Sequence, residues 1–237
     1  MKICDLVGAA FLLLGTVGAV LSWGAFGDVI SSFEMPPETN CCEGLAWDGD
    51  YLWSCGSPTD AFVSLTTEGS VVSLFGIGPT YNYAEGAAWD GMYLWYSYHV
   101  PGYDRASVNR VTTTGSAVGG FEAYTFNIAG LAWENDGIWC NNTKYTTTGS
   151  IISTFFIFGG VRDMAWDGHY LWSGNKQITT NGSFIQSFPV PGVGYPTGTT
   201  FDGNYLWIHV YPRAYQIDIG VVGVDPASMG KIKSLYR

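Results

Sequence analysis

The chain has 237 residues, with ten Lys and Arg against twenty Asp and Glu, which gives a formal net charge of −10. Only 13% of the residues are charged while 16% are aromatic, and this balance excludes a disordered chain and a long coiled coil. The scattered basic residues argue against a nucleic-acid partner. With 32 glycines, the composition indicates an all-β globular protein with many turns.

The first predicted element is an apolar segment near the N-terminus. Lys2 is followed by the uncharged run 6–21 and then by small residues. This arrangement favours an export signal over residues 1–24 that is removed, so we expect a secreted or cell-surface protein. A retained anchor is the alternative, and only in that case would the chain contact a membrane.

One ten-residue motif occurs five times along the rest of the chain. Its copies, such as GLAWDGDYLW, begin at Gly44, Gly86, Gly130, Asp163 and Gly198. A second motif, TTxGS followed by apolar residues, follows four of these copies. Turn residues between apolar runs indicate β-hairpins, so each repeat of 33–44 residues predicts four antiparallel strands.

Repeats of this length and strand content are typical of a β-propeller, and five copies predict five blades over residues 25–220. We expect Asp48-Gly49 to form a two-residue loop, which places Trp53 opposite Gly44. The repeated tryptophans are assigned to packing between blades. The fifth repeat lacks a clear fourth strand, and the segment 27–33 matches the outer strand of the other repeats. We therefore predict that this N-terminal strand completes the last blade and closes the ring, followed at the other end by a tail over residues 221–237.

The long loops that enter each inner strand and those that leave each second strand share one face of a propeller, and binding residues concentrate on such loops. Glu43, Glu85 and Asp163, with Arg162 beside the last of them, lie at these entrances. We expect these acids to bind a ligand. Calcium is a possible cofactor, because it prefers oxygen ligands. In one alternative, one of these acids acts as a general acid or base in catalysis. In the other, the acids form a structural ion pair with Arg162.

Tyrosines and histidines in the same loops extend the predicted site. Aromatic rings bury apolar area and keep a polar group, which suits a glycan or a protein ligand, although packing between loops is the alternative. The predicted ligand-binding residues beside the acids are Tyr83, Tyr98, His99, Tyr103, Tyr195, His209 and Tyr211.

The cysteines predict one cross-strand disulfide. A two-residue loop at Asp48-Gly49 places Cys42 opposite Cys55, and an exported chain permits disulfides. Cys41 competes for the same partner, and Cys140 is then either free or paired with Cys41. A structural zinc site is not indicated because the sequence has no Cys-x-x-Cys pair.

The combination of GLAWDGxYLW with a TTxGS hairpin resembles exported propeller repeats of the glutamine-cyclotransferase-like and quinoprotein-dehydrogenase-like kinds. Plant-type glutaminyl cyclases are five-bladed propellers with Phe-Thr-Glu/Gln-Gly-Leu near the first blade, and Glu43-Gly44-Leu45 matches the end of that motif. The resemblance therefore implies a catalytic role for Glu43.

Three functions follow from these patterns. The first is a non-catalytic exported propeller that binds a ligand or partner on its loop face, or assembles with copies of itself. The second is a secreted enzyme of the glutaminyl-cyclase or lyase type that uses the carboxylates at the channel mouth. The third is a structural spacer without a binding site at the axis.

Overall fold

The computed structural model describes residues 25–39, 41–57, 60–78, 84–100, 105–124, 130–156, 161 and 163–220. The predicted export signal, 1–24, and the predicted tail, 221–237, lie outside these residues. Within the described ranges, no helix has the length and apolar character needed to span a membrane.

The described chain is built of short antiparallel strands, with one 3-10 turn at Pro37–Thr39. In chain order the strands are β1 (Val29–Glu34), β2 (Cys41–Trp47), β3 (Leu52–Ser57), β4 (Ala61–Leu65), β5 (Val71–Gly76), β6 (Ala84–Trp89), β7 (Leu94–His99), β8 (Arg105–Val111), β9 (Ala117–Tyr124), β10 (Leu131–Glu134), β11 (Gly137–Cys140), β12 (Thr143–Tyr145), β13 (Ile151–Thr154), β14 (Met164–Trp166), β15 (Leu171–Ser173), β16 (Lys176–Ile178), β17 (Phe184–Ser187), β18 (Gly198–Phe201), β19 (Leu206–Val210) and β20 (Arg213–Ile217).

These strands form five four-stranded sheets, and the prediction of an all-β, five-bladed propeller is confirmed. The first four blades are β2–β5, β6–β9, β10–β13 and β14–β17, each in sequence order. The fifth blade has the order β1-β20-β19-β18, so its outermost strand comes from the start of the described chain. There, the stretch from Val29 to Glu34 pairs antiparallel with Ile217 to Arg213. The innermost strands β2, β6, β10, β14 and β18 contact one another around the axis.

The predicted two-residue loop at Asp48-Gly49 is wrong. Trp47 pairs with Leu52, so the loop has four residues, and Trp53 lies opposite Ala46 rather than Gly44. The reason lies in the Asp48 carboxylate. Its Oδ1 accepts hydrogen bonds from two backbone N–H groups inside the loop, at 2.8 and 2.7 Å, and these contacts stabilise the wider turn.

The same carboxylate also holds a tryptophan. Oδ2 of Asp48 accepts a hydrogen bond from the indole Nε1 of Trp53 at 2.7 Å. Every blade repeats this contact, because the acid five residues before the buried tryptophan always accepts its indole proton. The other four pairs are Asp90–Trp95, Glu134–Trp139, Asp167–Trp172 and Asp202–Trp207, at 2.6 to 2.8 Å. In the four blades with aspartate, the same side chain therefore stabilises the turn and pairs the only polar atom of a buried ring, while Glu134 of the third blade makes the indole contact.

The second motif forms the turn between the third and outer strands. In the third blade, Thr146 Oγ1 accepts a hydrogen bond from Ser150 N at 3.0 Å, and Gly149 has φ of 88°. A Cβ on Gly149 would lie 2.8 Å from Cβ of Phe121, which ends the apolar run of the preceding blade's outer strand. The same contact joins Phe33 to Gly69, Phe75 to Gly115, Phe155 to Gly182 and Phe188 to Gly27. Each blade therefore covers the turn of the next with a phenylalanine ring.

The core lies between the blades. The tryptophans of the second strands, Trp53, Trp95, Trp139, Trp172 and Trp207, are at most 3% exposed. The tryptophans that end the inner strands are half-buried; Trp133 of the third blade stacks on Trp95 of the second, with ring centroids 6.3 Å apart. Since stacked aromatic pairs favour such separations, these rings stabilise contacts between neighbouring blades.

Candidate functional site

Asp163 occupies the centre of the ring. It lies just before β14, is 2% exposed, and accepts hydrogen bonds from three backbone N–H groups of other blades. Leu45 N donates at 2.9 Å, Leu131 N at 3.3 Å and Thr199 N at 2.7 Å. Burial raises the pKa of Asp163 well above its usual value, and the four backbone hydrogen bonds, that of Met164 included, act in the opposite direction. One side chain therefore joins four of the five blades at the axis.

The other repeats carry glycine where the fourth carries Asp163, and the structure shows why. A Cβ on Gly44 would lie 2.5 Å from Ala87 N in the next blade and 2.9 Å from Cys55 Sγ. A Cβ on Gly198 would lie 2.7 Å from Cγ of Leu45. Neighbouring inner strands approach too closely for a side chain at these points.

Two glutamates flank this axis on the loop face. Glu43 on β2 and Glu85 on β6 are half-buried in neighbouring blades. Burial, together with the negative charge of Glu43, raises the pKa of Glu85 to about 8. The buried Oε2 of Glu85 has no hydrogen-bond partner among the described residues. At neutral pH this carboxyl group is therefore protonated. One of its oxygens is available for a hydrogen bond with a donor or acceptor that is not among the described residues.

A short hydrogen-bond chain joins the fifth blade to the first. Thr197 Oγ1 donates to the carbonyl oxygen of Cys42 at 2.7 Å and lies 2.7 Å from Nδ1 of His209. Because the hydroxyl has one proton and gives it to the carbonyl, Nδ1 of His209 carries the imidazole proton. Burial lowers the pKa of His209 to about 4, and its buried Nε2 has no partner among the described residues. The imidazole is therefore neutral, with a bare acceptor nitrogen.

The remaining predicted residues lie further out. Tyr98 and His99 are half-buried at the end of β7, and the Tyr98 ring centroid is 6.3 Å from that of Tyr96. Tyr195 and Tyr211 are 75% and 61% exposed. The other three predicted ligand-binding residues, Arg162, Tyr83 and Tyr103, lie outside the described residues. The described part of the site therefore consists of a buried acidic centre and an exposed aromatic border, and a ligand-binding role for these residues stays a prediction.

The predicted disulfide between Cys42 and Cys55 is wrong, because both are free thiols in the structure. A β-bulge between Cys42 and Gly44 places Cys55 opposite Gly44 and Cys42 opposite Gly56. The two thiols then donate to different carbonyl oxygens, those of Gly44 and Gly86. Cys140 is also a free buried thiol. Burial raises the pKa of Cys42 and Cys55 well above the ordinary value, so neither is an activated nucleophile.

Metal ligands are not assembled in the part of the chain that the structure describes. No three His, Cys, Asp or Glu side chains there are grouped so as to hold a metal ion. The described acids therefore do not supply a calcium site by themselves.

Thr197 is a site residue that the sequence did not reveal. It directly precedes the fifth copy of the motif, at the position that Glu43 and Glu85 hold before the first two copies, but it is not an acid, so only its contacts identify it. The sequence did single out Asp163, because it replaces glycine in one copy of the motif. Nothing in the sequence indicated which backbone N–H groups its carboxylate binds.

No protein-family model and no curated protein matches the sequence. Among solved structures, a gluconolactonase from Xanthomonas campestris matches with a TM-score of 0.52 and 16% identity, over 74% of this chain and 85% of that one. A virginiamycin B lyase from Staphylococcus aureus matches with a TM-score of 0.47 and 18% identity, over 78% of this chain and 68% of that one. BamB from Moraxella catarrhalis matches with a TM-score of 0.41 and 14% identity, over 74% and 59%. At these identities the likeness shows the propeller fold alone.

Proposed function

We propose that this protein is a binding protein whose loop face receives a glycan or protein ligand at the mouth of the central channel. The observation that carries the proposal is Glu85, a half-buried carboxyl group with an unpartnered oxygen beside a second carboxyl group. Buried polar atoms are almost always hydrogen-bonded in folded proteins, so an exception at a channel mouth indicates a place for a ligand or water.

The surroundings of Glu85 favour binding over reaction. Asp163 is committed to backbone N–H groups at the axis, the thiols of Cys42 and Cys55 are held protonated, and His209 is neutral. A protonated carboxyl group can both donate and accept a hydrogen bond, as a sugar hydroxyl does. With the Tyr98 ring at the same end of the channel, the site suits a polar, hydrogen-bonding ligand.

The state of Glu85 makes the proposal testable by pH. Screening the protein against a glycan array and a peptide library supplies the ligand, and titration calorimetry then measures its affinity between pH 6 and 9. We expect wild-type affinity to fall as pH rises through about 8, because Glu85 ionises there. Glu85→Gln, which imitates the protonated acid, should keep its affinity across the range.

Glu34→Gln, a change of the same kind on the distant strand β1, is the control and should behave as wild type. The proposal is overturned if no ligand binds, or if Glu85→Lys leaves the affinity unchanged.

A secreted enzyme is the second candidate, and the pairing of a protonated Glu85 with Glu43 is the observation that favours it. A carboxylic acid beside a second carboxyl group is an arrangement that serves general acid–base catalysis. Peptides with N-terminal glutamine are the substrates that test a cyclase activity. Turnover by the wild type that disappears in Glu43→Gln would support the enzyme. If the wild type shows no turnover, the binding function remains as the proposal.

We also propose that the protein acts outside the cytoplasm, at the cell surface or in the medium. Lys2 and the apolar run 6–21 support this placement. Expression of the full chain followed by mass spectrometry of the exported fraction should give a mature N-terminus near residue 25. An intact N-terminus in the cytoplasmic fraction would contradict the proposal.

A further inference from the structure

The end of the central channel opposite the loop face is lined by aromatic rings. Every inner strand has an aromatic residue at this end, and all five of these residues line one cavity of about 70 Å³ on the axis. They are Trp47, Trp89, Trp133, Trp166 and Phe201. The rings pack between blades, as Trp133 does on Trp95, but each of them is only half-buried. This turn-face cavity therefore meets a partly exposed aromatic ring from every blade.

Main-chain acceptors point into the same channel. The N–H groups of Leu45, Leu131 and Thr199 point to the axis, where they donate to Asp163. The N–H and C=O groups of one strand residue point to the same side, so the carbonyl oxygens of these three residues also point to the axis. Leu131 is part of the cavity lining. The channel therefore offers hydrogen-bond acceptors beside the aromatic rings.

The turns around this mouth of the channel are acidic. The hairpin turns between inner and second strands contain no lysine or arginine. The seven acids in or next to these turns are Asp48, Asp50, Asp90, Glu134, Asp136, Asp167 and Asp202. Two cations reach them from third strands: Lys144 pairs with Glu134 and Asp136 at 3.2 and 3.1 Å, and Arg110 lies over the Tyr93 ring. Acidic charge remains in excess, so this face attracts cations and repels anions.

We propose that the turn-face cavity binds the alkylammonium head group of an organic cation. Aromatic rings attract a desolvated cation through the negative charge over their faces, and several rings around one ammonium group form a recognition site for it. The carbonyl oxygens and the surrounding acids add attraction of the same sign, and a neutral or anionic ligand gains neither contribution. The site is independent of Glu85, which lies at the opposite mouth of the channel.

The size of the cavity agrees with a head group as the occupant. Pockets that enclose a whole drug-sized ligand measure roughly 300 to 1,000 Å³, whereas this cavity has about 70 Å³. It therefore encloses a few heavy atoms, and the rest of the ligand extends toward the acidic turns.

Titration of the full chain with choline and with butylammonium tests the proposal. The tryptophans that line the cavity report binding by fluorescence, and calorimetry confirms it. We expect saturable binding that weakens as the salt concentration rises, because the surrounding acids lie at the surface. The matched control ligand is the neutral alcohol in which carbon replaces the charged nitrogen of choline, and it should not bind.

Phe201 allows the aromatic contribution to be both removed and increased. Phe201→Leu removes one ring, and we expect the affinity for choline to fall about two- to thirtyfold. Phe201→Trp introduces the residue that the other four blades carry here, so it is compatible with the fold and should bind choline more tightly. Phe184→Leu makes the same change at a 62% exposed ring on the outer strand β17 and should bind as the wild type does.

The outcomes separate this site from the one at the loop face. The proposal is overturned if neither cation binds, if the neutral alcohol binds as well as choline, or if Phe201→Leu and Phe184→Leu have equal affinity. Tighter binding of choline would support a quaternary ammonium as the natural head group, and tighter binding of butylammonium would support a primary amine. Glu85→Gln should bind choline as the wild type does, so a failure here is distinct from a failure of the proposed function.

Discussion

The backbone N–H of Thr199 donates to the carboxylate of Asp163 at 2.7 Å, which joins the inner strand of the fifth blade to the start of the fourth. Leu45 and Leu131 donate to the same carboxylate from the first and third blades. The centre of this propeller is therefore held by one buried side chain, and its removal affects several blades at once.

Substitution of Asp163 should destabilise the whole ring. Asp163→Ala leaves the three buried N–H groups of the other blades without their acceptor, and we expect a loss of at least about 3 kcal/mol in the free energy of unfolding. Asp163→Asn keeps one oxygen and should lose about 1–2 kcal/mol. Urea denaturation followed by tryptophan fluorescence measures both.

Asp60 provides the control for that experiment. It is also buried, at 6% exposed, but its Oδ1 has no hydrogen-bond partner among the residues that the structure describes. Asp60→Asn should therefore cost little, and an equal loss at both aspartates would contradict a special role for Asp163.

The Asp48 carboxylate should stabilise the first blade through its contacts with the loop and with Trp53. Asp48→Ala removes the acceptor for two backbone N–H groups and one indole, and we expect a loss of about 1–3 kcal/mol. Asp50→Ala changes an exposed acid in the same loop and should cost less than about 0.5 kcal/mol. Equal effects of the two substitutions in thermal denaturation would show that the indole contact contributes nothing.

The contact between Gly149 and Phe121 can be separated from backbone strain. Gly149→Ala brings a methyl group against the Phe121 ring at a φ of 88°, whereas a Cβ on Gly91, at φ of 97°, meets no atom within 4 Å. Both variants carry the strain of a positive φ, so we expect Gly149→Ala to lose about 1–3 kcal/mol more than Gly91→Ala. A difference near zero in their unfolding free energies would mean that the phenylalanine moves aside freely.

Glu85 should make the fold less stable as pH rises. Its pKa is raised to about 8 in the folded state, so its contribution to stability is fully present below about 4.5 and is lost as pH rises through about 8. Thermal denaturation between pH 4 and 9 should show a decline in the wild type that is smaller in Glu85→Gln. Parallel curves for the two proteins would exclude this carboxyl group as the cause.

His209 should act in the opposite direction. Its pKa is lowered to about 4 in the folded state, so its contribution is present above about 6.5 and is lost as pH falls through about 4. His209→Gln should reduce the loss of thermal stability over that acidic window. His169→Gln, a change at an exposed histidine in a turn of the opposite face, should leave the wild-type profile unchanged.

The repeats predicted the architecture because each copy contains its own turn residues and its own apolar alternation. Five copies of the first motif became five sheets, and the segment that includes Val29 and Phe33 pairs with β20. Register was less predictable. The carboxylate of Asp48 widens the hairpin loop by hydrogen bonds that a dipeptide rule does not include, and a bulge near Cys42 then separates two cysteines that simple pairing places together.

The site was predictable only in part. Glu43, Glu85 and Asp163 were recognisable as acids at the entrances to inner strands, which the fold brings toward one axis. Thr197 and His209 meet at one end of the fifth blade, and the hydrogen bond from Thr197 to Cys42 crosses to the first blade, so no single motif encodes this chain of contacts. Contacts between blades follow from the closed ring, and single repeats do not contain them.

Asp163 also limits how alike the repeats can become. If every copy of the motif carried aspartate at this point, five acids would converge on one axis, where like charges at short range repel strongly. With Gly44 replaced by any residue that has a Cβ, the neighbouring inner strand would have to move. A perfectly symmetric version of this propeller, built from one repeated gene segment, could therefore reproduce the glycine copies but would lose the central acid, so we expect the natural asymmetry to be a condition of its stability.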